Sequence, residues 1–271
     1  AGAMVLGPRF GKYDKDGNPR PIPGHSLALA TIGLFVLWLG WFGFNPGSTM
    51  SMANPGDVAH ILMTTNTAAI AGVLTSTIIS KIFLGKPDLG MTINGCLAGL
   101  VAITAGCAYV DVLSSLIIGA IAGVIVVFAV LMFDKLKIDD PVGATSVHLA
   151  NGVFGTICVG LFAKEGVTTL SATNGLFFGG GFSLLATQIV GILAVAAFVF
   201  PASLLVWFLI KKTMGIRVSL EEEITGLDIG EHGNSAYPEF LSRKPEYSAI
   251  IFDDGAAESS SIPKIYMKRE S

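Results

Sequence analysis

The residue of this sequence with the clearest chemical potential is a single histidine, His148. It lies in the stretch 139–152, where Asp139, Asp140 and Pro141 lead into residues with no further charge. If Pro141, which has no N–H to satisfy, is the first helical residue, a rise of about 1.5 Å per residue places His148 about 10 Å along the helix. At that depth in a hydrocarbon layer of roughly 30 Å, an ionisable ring is costly unless it faces a cavity or a partner. We therefore interpret His148 as a functional residue; the alternative is a neutral histidine that bridges two helices.

A second candidate site lies at the end of an earlier apolar run. Trp38 and Trp41 are followed by Phe42, Phe44 and then Ser48. Aromatic faces attract cations, and a hydroxyl oxygen replaces part of the water shell of a small cation, so this group is a candidate cation-attracting mouth. An aromatic belt at the membrane interface, which is a common feature, is the alternative.

The other ionisable and nucleophilic residues form no recognisable site. His25 and His60 lie at the ends of apolar runs, where loop or capping roles are expected, and His232 lies in a polar tail. The sequence has no Ser-His-Asp set, HExxH, Walker loop or dinucleotide fingerprint, and no cluster of metal ligands. We predict that the protein is not an enzyme and has no cofactor, no metal and no nucleic-acid partner.

The elements that must position these residues are membrane-spanning helices. Hydrophobic residues make up 52% of the 271 residues and charged residues 14%, against about a quarter charged in soluble domains. The apolar runs predict an all-α polytopic membrane protein with about six transmembrane helices, at residues 27–44, 58–82, 91–109, 112–133, 141–162 and 176–210. The last run has no polar turn, so we expect one long tilted helix; the glycines at 179–181 are its candidate entry bend and Pro201 its candidate flexing point.

Small residues predict where these helices pack closely. Gly95 and Gly99, and likewise Gly119 and Gly123, are four residues apart and form small-residue faces. Three further glycines of the first span, Gly33, Gly40 and Gly43, are also expected to admit close neighbours.

The distribution of basic residues predicts the orientation in the membrane. Successive loops contain 4, 0, 2, 0, 2 and 1 Lys or Arg, and Lys211, Lys212 and Arg217 follow the last run. This alternation is the positive-inside pattern, and six spans place both ends on one side. We predict a multi-pass protein of the cell (inner) membrane with a cytoplasmic C-terminus, in which the helix of His148 starts at the cytoplasmic side and carries His148 towards the midplane.

Two regions are predicted: a transmembrane domain, 1–212, and a cytoplasmic regulatory tail, 213–271. Ser219 is a candidate helix cap before an acidic run, and poor order is expected from Glu246 onward. Residues 1–7 read like the last turns of a helix whose beginning is missing, so we expect a fragment or a cleaved chain.

Three stretches resemble, in this order, signature stretches of the ammonium transporter (Amt/Mep/Rh) family. They are GWFGFNPGS at 40–48, DDPVGATSVH at 139–148 and GLDIGEHGNSAY at 226–237. The resemblance covers about residues 1–240. Members of that family have eleven spans, an inverted pair of five plus a long tilted last helix, and form trimers with a pore in each subunit. The resemblance implies that this chain corresponds to spans six to eleven and the tail.

The resemblance also implies roles for five residues. His148 is similar to the second of two paired pore histidines, Phe44 to one of two stacked gate phenylalanines, and Ser48 to the hydroxyl of the external ammonium site. Trp41 matches a position beside the pore. Asp140 matches an aspartate near the start of the histidine helix, where a carboxylate favours the N-terminus. The first pore histidine and the other gate phenylalanine would precede residue 1.

The predicted function is transport of ammonium or ammonia through a hydrophobic pore with a histidine at mid-membrane, with methylammonium as an analogue. The implied partners are the lipid bilayer, two further copies in a homotrimer and a PII-type signal protein at the tail. Two alternatives stay open: an ammonium sensor that signals through its tail, and a truncated half without transport on its own.

Overall fold

The computed structural model describes residues 1–237, so the poor order predicted from Glu246 onward lies outside the described residues. The described part is helical apart from turns, loops and an isolated bridge between Tyr13 and Pro19. It forms two compact units: residues 1–8 with 12–216, and residues 9–11 with the segment from Arg217.

The first unit contains seven α-helices. Their bounds are α1 Gly2–Leu6, α2 Leu27–Gly47, α3 Pro55–Leu84, α4 Leu89–Thr104, α5 Val112–Lys135, α6 Asn151–Phe162 and α7 Ser183–Thr213. A π-helical turn, Thr145–Ala150, runs directly into α6, and a short 3-10 turn, Leu176–Phe178, precedes α7.

Within residues 1–237, five helical segments are long and apolar enough to cross a membrane. They are α2, α3, α5, α7 and the combined segment Thr145–Phe162. The sixth, α4, has 16 residues, which is about 24 Å of helix, and a turn at residues 105–110 extends it. The prediction of an all-α polytopic membrane protein with about six such helices is confirmed.

Glycines create the tightest contacts of the fold, between α3 and its neighbours α4 and α5. A Cβ added at Gly99 or Gly119 would lie 2.3 or 2.2 Å from the carbonyl oxygen of Ala68. At Gly95 or Gly123 it would lie 2.6 or 2.5 Å from that of Gly72. The backbones therefore touch with no room for side chains. The predicted small-residue faces of α4 and α5 are confirmed.

The outlying helices α2 and α7 are packed very differently. In their most apolar windows 6% and 0% of residues are buried, against 39% in α5. A Cβ added at Gly33, Gly40 or Gly43 would meet nothing within 4 Å among the described residues. The prediction that these glycines admit close neighbours is wrong within this chain, because α2 packs through another face, which carries Leu34, Trp38 and Trp41.

The first predicted span, 27–44, is three residues too short. Helix α2 continues to Gly47 with Pro46 inside it, because proline removes only one donor and the last turn finds other bonds. The Ser48 N–H donates to Asn45 O at 3.2 Å, and Asn45 Nδ2 donates to Thr65 Oγ1 at 2.9 Å.

The fifth predicted span, 141–162, starts too early, because Pro141 is not the first helical residue. Residues 141–142 form a turn, and Gly143 has φ of +76° before the π-turn begins at Thr145. A left-handed backbone at Gly143 cannot continue a right-handed helix. His148 is therefore three residues into the regular helical segment rather than seven.

The last predicted span, 176–210, also starts too early. Gly179 and Gly181 have φ of +86° and +70°, so the glycine bend separates the 3-10 turn from α7, which begins at Ser183. Pro201 lies inside α7.

Up to residue 237, the second unit contains two short helices, α8 Leu220–Thr225 and α9 Leu227–His232. Ser219 caps α8 in a reciprocal capping box with Glu222, which confirms the predicted cap. The Arg217 guanidinium pairs with Glu223 at 2.7 Å, and the same carboxylate accepts the N–H of Phe10 at 2.7 Å.

Candidate functional site

The C-terminal end of α2 brings Trp41, Phe44 and Ser48 together; we call these three residues the α2 mouth. The rings of Trp41 and Phe44 are in edge contact, with centroids 6.4 Å apart and planes at 66°. The indole Nε1–H of Trp41 donates to Thr104 Oγ1 on α4 at 2.9 Å, which fixes the ring orientation. Phe44 remains 62% exposed, so its ring face is open to a ligand or to another part of the protein.

Ser48 follows α2 directly and is exposed. Its hydroxyl donates to Phe44 O at 2.9 Å, one turn back along the helix. This bond uses the hydroxyl proton and leaves the oxygen lone pairs as acceptors. The α2 mouth therefore combines an aromatic face with an acceptor oxygen, a combination that suits a small cation with N–H donors.

Asp140 lies just before the π-turn that carries His148. The two carboxylate oxygens of Asp140 accept the N–H groups of Ala144 and Thr145 at 2.9 and 2.5 Å. These are first-turn donors that would otherwise lack intrahelical partners, so Asp140 acts as the cap of this segment. Its carboxylate is committed to this task.

His148 is exposed, whereas Ser146 and Val147 beside it are buried. No group of residues 1–237 forms a hydrogen bond with its imidazole ring. The ring is therefore exposed on an apolar helix, and neither of its nitrogens is hydrogen-bonded within residues 1–237. This arrangement differs from a histidine that bridges two helices of this chain, which was the structural alternative.

Helix α4 relates the two groups of residues. Trp41 contacts α4 at Thr104. In the segment that carries His148, Gly143 lies against Asn94 of α4 and Gly152 lies against Val101. His148 therefore lies between the levels of Asn94 and Val101. At about 1.5 Å per residue, this is about 5 to 15 Å along α4 from the α2 mouth. The structure joins the two groups through α4 rather than by direct contact.

Three polar residues that support the site escaped the sequence analysis. Thr104 holds the Trp41 indole, Asn45 anchors the end of α2 to α3, and Asn151 donates to a carbonyl beside His148. The available signal was a polar side chain in or next to an apolar run, which requires a hydrogen-bond partner when buried. The sequence does not reveal which partner each one finds.

Two carboxylates outside the membrane-spanning helices stabilise the fold through a helix cap and ion pairs. Asp111 caps α5 through Ser114 N–H and pairs with Lys164 at 2.9 Å. Burial raises the pKa of Asp111, but these bonds outweigh it and the pKa is lowered overall. In the second unit, the hydrogen bond from Arg217 lowers the pKa of Glu223. Neither carboxylate is poised for proton transfer near neutral pH.

The chain was compared with known families and proteins. The model of the Ammonium Transporter Family matches residues 1–237. Ammonium transporter Amt2 of Archaeoglobus fulgidus is 49% identical over 261 residues, which cover 94% of this chain and 55% of that protein. Ammonium transporter 3 of Dictyostelium discoideum is 36% identical over 245 residues, which cover 87% of this chain and 56% of that protein.

Solved structures show the same likeness. A structure titled "Sensor Amt Protein" aligns with a TM-score of 0.77 and 36% identity, covering 85% of this chain and 55% of that one. The crystal structure of Candida albicans Mep2 aligns with a TM-score of 0.71 and 30% identity, covering 81% and 49%. The chain thus spans about half the length of the relatives it matches. The relatives named as transporters agree with the expectation that this chain is not an enzyme.

Proposed function

This chain is a member of the ammonium transporter family, and on that premise we propose that it forms part of a path along which ammonium or ammonia crosses a membrane. The observation that carries the proposal is the arrangement along α4: an exposed aromatic and hydroxyl mouth, followed about 5 to 15 Å further on by an exposed histidine. The curated relatives are named ammonium transporters, which supports this substrate.

In this proposal the α2 mouth recruits the cation. The exposed Phe44 ring supplies an electron-rich face, and Ser48 Oγ accepts one N–H of ammonium in place of a water molecule. The Trp41 ring is held in place by Thr104 and stabilises the Phe44 ring by edge contact. The mouth therefore needs little rearrangement on binding.

Beyond the mouth, the positive charge of ammonium is the main energetic barrier to its passage. The helices that carry the path are apolar, and an unpaired cation in such surroundings loses its hydration without compensation. Ammonium should therefore transfer one proton to solvent water at the exposed mouth and continue as neutral ammonia. A neutral His148 can then accept a hydrogen bond from ammonia or relay a proton through its two ring nitrogens.

The proposal includes an orientation of the chain in the membrane. The basic residues alternate between loops, which favours a cytoplasmic tail, an external α2 mouth and location in the cell (inner) membrane. Large apolar areas of α2 and α7 are exposed, which is consistent with lipid and further protein around this chain. We propose that the native protein is a homotrimer and that a PII-type signal protein contacts the tail, as the family resemblance implies.

A second function is an ammonium sensor that transmits occupancy of the same site through its tail. The solved structure titled "Sensor Amt Protein", with 36% identity and a TM-score of 0.77, favours this alternative. Measured ammonium binding without uptake would favour the sensor. The third possibility is a half without transport on its own, and the intact mass of the native polypeptide tests it. A measured mass of 28.3 kDa would mean that the native polypeptide consists of this sequence alone, and a much larger mass would mean that this sequence is part of a longer chain.

The test of the transport proposal is uptake of labelled methylammonium by cells that make the native polypeptide and lack their own uptake. We expect His148→Ala to change the uptake rate or the apparent affinity of competing ammonium. His60→Gln is the matched control, because His60 Nε2 bonds Val110 O at 2.9 Å and a glutamine amide can donate the same bond. Unchanged uptake and affinity in His148→Ala would remove His148 from the path.

A further inference from the structure

The turn that carries His148 is wound differently from the rest of its helix. Residues Thr145–Ala150 form a π-helix, and α6 follows directly at Asn151. A π-turn inserts one residue into a helical turn and rotates the residues beyond it by about 100° relative to an unbroken α-helix. Such turns are rare and concentrate at functional sites. The winding of this turn therefore sets the direction in which His148 points.

Asn151 closes this turn with two donors. Its side-chain Nδ2 donates to Ser146 O at 2.9 Å, and its backbone N–H donates to His148 O. The two acceptor carbonyls belong to Ser146 and to His148 itself, on either side of Val147. One residue thus ties the backbone of the π-turn to the first residue of α6.

Packing alone does not explain an asparagine at this position. Asn151 is 0% exposed, and its Oδ1 has no hydrogen-bond partner among the described residues. An unpaired buried acceptor is unfavourable, whereas an apolar side chain of similar size would fill the same space without that cost. The bond from Nδ2 to Ser146 O is the feature that only a side-chain donor supplies.

The burial of this segment shows which side of the turn is held against the core. The buried residues from Gly143 to Gly155 are Gly143, Ser146, Val147, Asn151 and Gly155, whereas His148 and Leu149 are exposed. Ser146 and Asn151, the two residues joined by the Nδ2 bond, therefore both lie on the buried side, and His148 lies on the exposed side.

We infer that Asn151 is a positioning residue that sets the orientation of His148 by pinning the π-turn through Ser146 O. The inference rests on the proposed function of His148. Without the Asn151 amide, the turn can rewind towards α-helix, and the imidazole then points away from the path by up to about 100°.

The test is a double-mutant cycle on selectivity in the native polypeptide. The readout is the apparent affinity of ammonium as a competitor of labelled methylammonium uptake. Four proteins are compared: wild type, Asn151→Ala, His148→Ala and the double variant. Ser115→Ala is the matched control, because Ser115 is also 0% exposed and its hydroxyl bonds a carbonyl of its own helix, Val112 O, at 2.7 Å.

We expect Asn151→Ala to change this affinity by about threefold to tenfold, the range set by one buried hydrogen bond. The same substitution should have no further effect in the His148→Ala background, and Ser115→Ala should leave the affinity unchanged. If Asn151→Ala does not reach the membrane, Asn151→Leu repeats the test, because it removes the donor and fills the volume.

Two results would overturn the inference. In the first, Asn151→Ala has equal effects with and without His148, which means that it does not act through the histidine. In the second, Asn151→Ala behaves like Ser115→Ala, which means that the bond only stabilises the fold. If His148→Ala itself leaves the affinity unchanged, the proposed function of His148 fails, and the inference falls with it.

Discussion

The three central helices, α3, α4 and α5, and the two outlying helices, α2 and α7, differ in how closely their neighbours pack against them. α3, α4 and α5 are joined by glycines whose backbones touch the neighbouring helix, as at Gly99 against Ala68 O. α2 and α7 are almost entirely exposed along their apolar windows, and the glycines Gly33 and Gly40 of α2 face open space.

This difference separates the packed core from the helix that carries most of the candidate site. The central helices contribute no predicted site residue with an open ring or hydroxyl, whereas Phe44 and Ser48 lie on the outlying helix α2. The contact of α2 with the central helices combines an apolar face, which carries Leu34, with two specific hydrogen bonds: the Trp41 indole donates to Thr104, and Asn45 donates to Thr65. The core thus provides a rigid frame, and the site lies on surfaces that face lipid, ligand or further protein.

The largest effect is expected where the backbones touch. Gly99→Ala places a methyl group 2.3 Å from Ala68 O, so α3 and α4 must separate. Overpacking of this kind costs about 1 to 3 kcal/mol, and we expect a clear loss of thermal stability in detergent. Gly40→Ala is the control, because its added methyl meets nothing within 4 Å and alanine favours helix by about 1 kcal/mol. Equal losses in the two variants would show that the open face of α2 is packed after all.

The second effect concerns the α2 mouth. Ser48→Ala removes the acceptor oxygen, and we expect the concentration of methylammonium at half-maximal uptake to rise by about threefold to tenfold with the maximal rate retained. Thr31→Ala is the control in the same helix, because its hydroxyl makes the same bond to the carbonyl four residues back, Leu27 O, at 2.9 Å. A matching change in Thr31→Ala would assign the effect to the helix rather than to the mouth.

The third effect should be confined to the second unit. Glu223→Gln removes the charge that Arg217 contacts through two nitrogens at 2.7 and 2.9 Å. We expect faster amide hydrogen exchange across residues 217–232 and an unchanged melting temperature of the transmembrane helices. Glu221→Gln is the control, since Glu221 has no ion pair within residues 1–237. A loss of stability in the transmembrane helices would contradict the division into two units.

The smallest effect is electrostatic. The pKa of Asp111 is lowered in the folded chain, so its charge stabilises the fold above its ordinary pKa of 3.8 and this contribution disappears as pH falls through the folded value. Asp111→Asn keeps a helix cap but removes the pair with Lys164, so we expect a loss of about 1 kcal/mol or less at pH 7. The difference between variant and wild type should be smaller at a pH below 3.8 than at pH 7. A difference that is the same at both pH values would rule out the charge as its cause.

The sequence was sufficient to predict the parts of the fold that depend on composition and short patterns. The apolar runs predict the helices, and the spacing of Gly95 with Gly99 predicts a close contact that the structure contains. The family also follows from three short stretches, and its model matches residues 1–237.

The rest depends on tertiary partners that no local pattern contains. Pro46 reads as a helix end, yet the bond from Asn45 to Thr65 keeps it helical. Pro141 reads as a helix start, yet the positive φ of Gly143 delays the helix to Thr145. The π-turn itself leaves no signal in the sequence, because it follows from which side chains fit the core. The roles of His148, Phe44 and Ser48 stay predictions that transport measurements must test.

The most direct test of the central claim is uptake of labelled methylammonium into liposomes that contain the purified native polypeptide. We predict saturable uptake that unlabelled ammonium suppresses, and a changed apparent affinity for ammonium in protein that carries His148→Ala. Uptake no greater than in empty liposomes, by protein that still binds ammonium and retains its thermal unfolding transition, would contradict transport and leave the sensor as the better account.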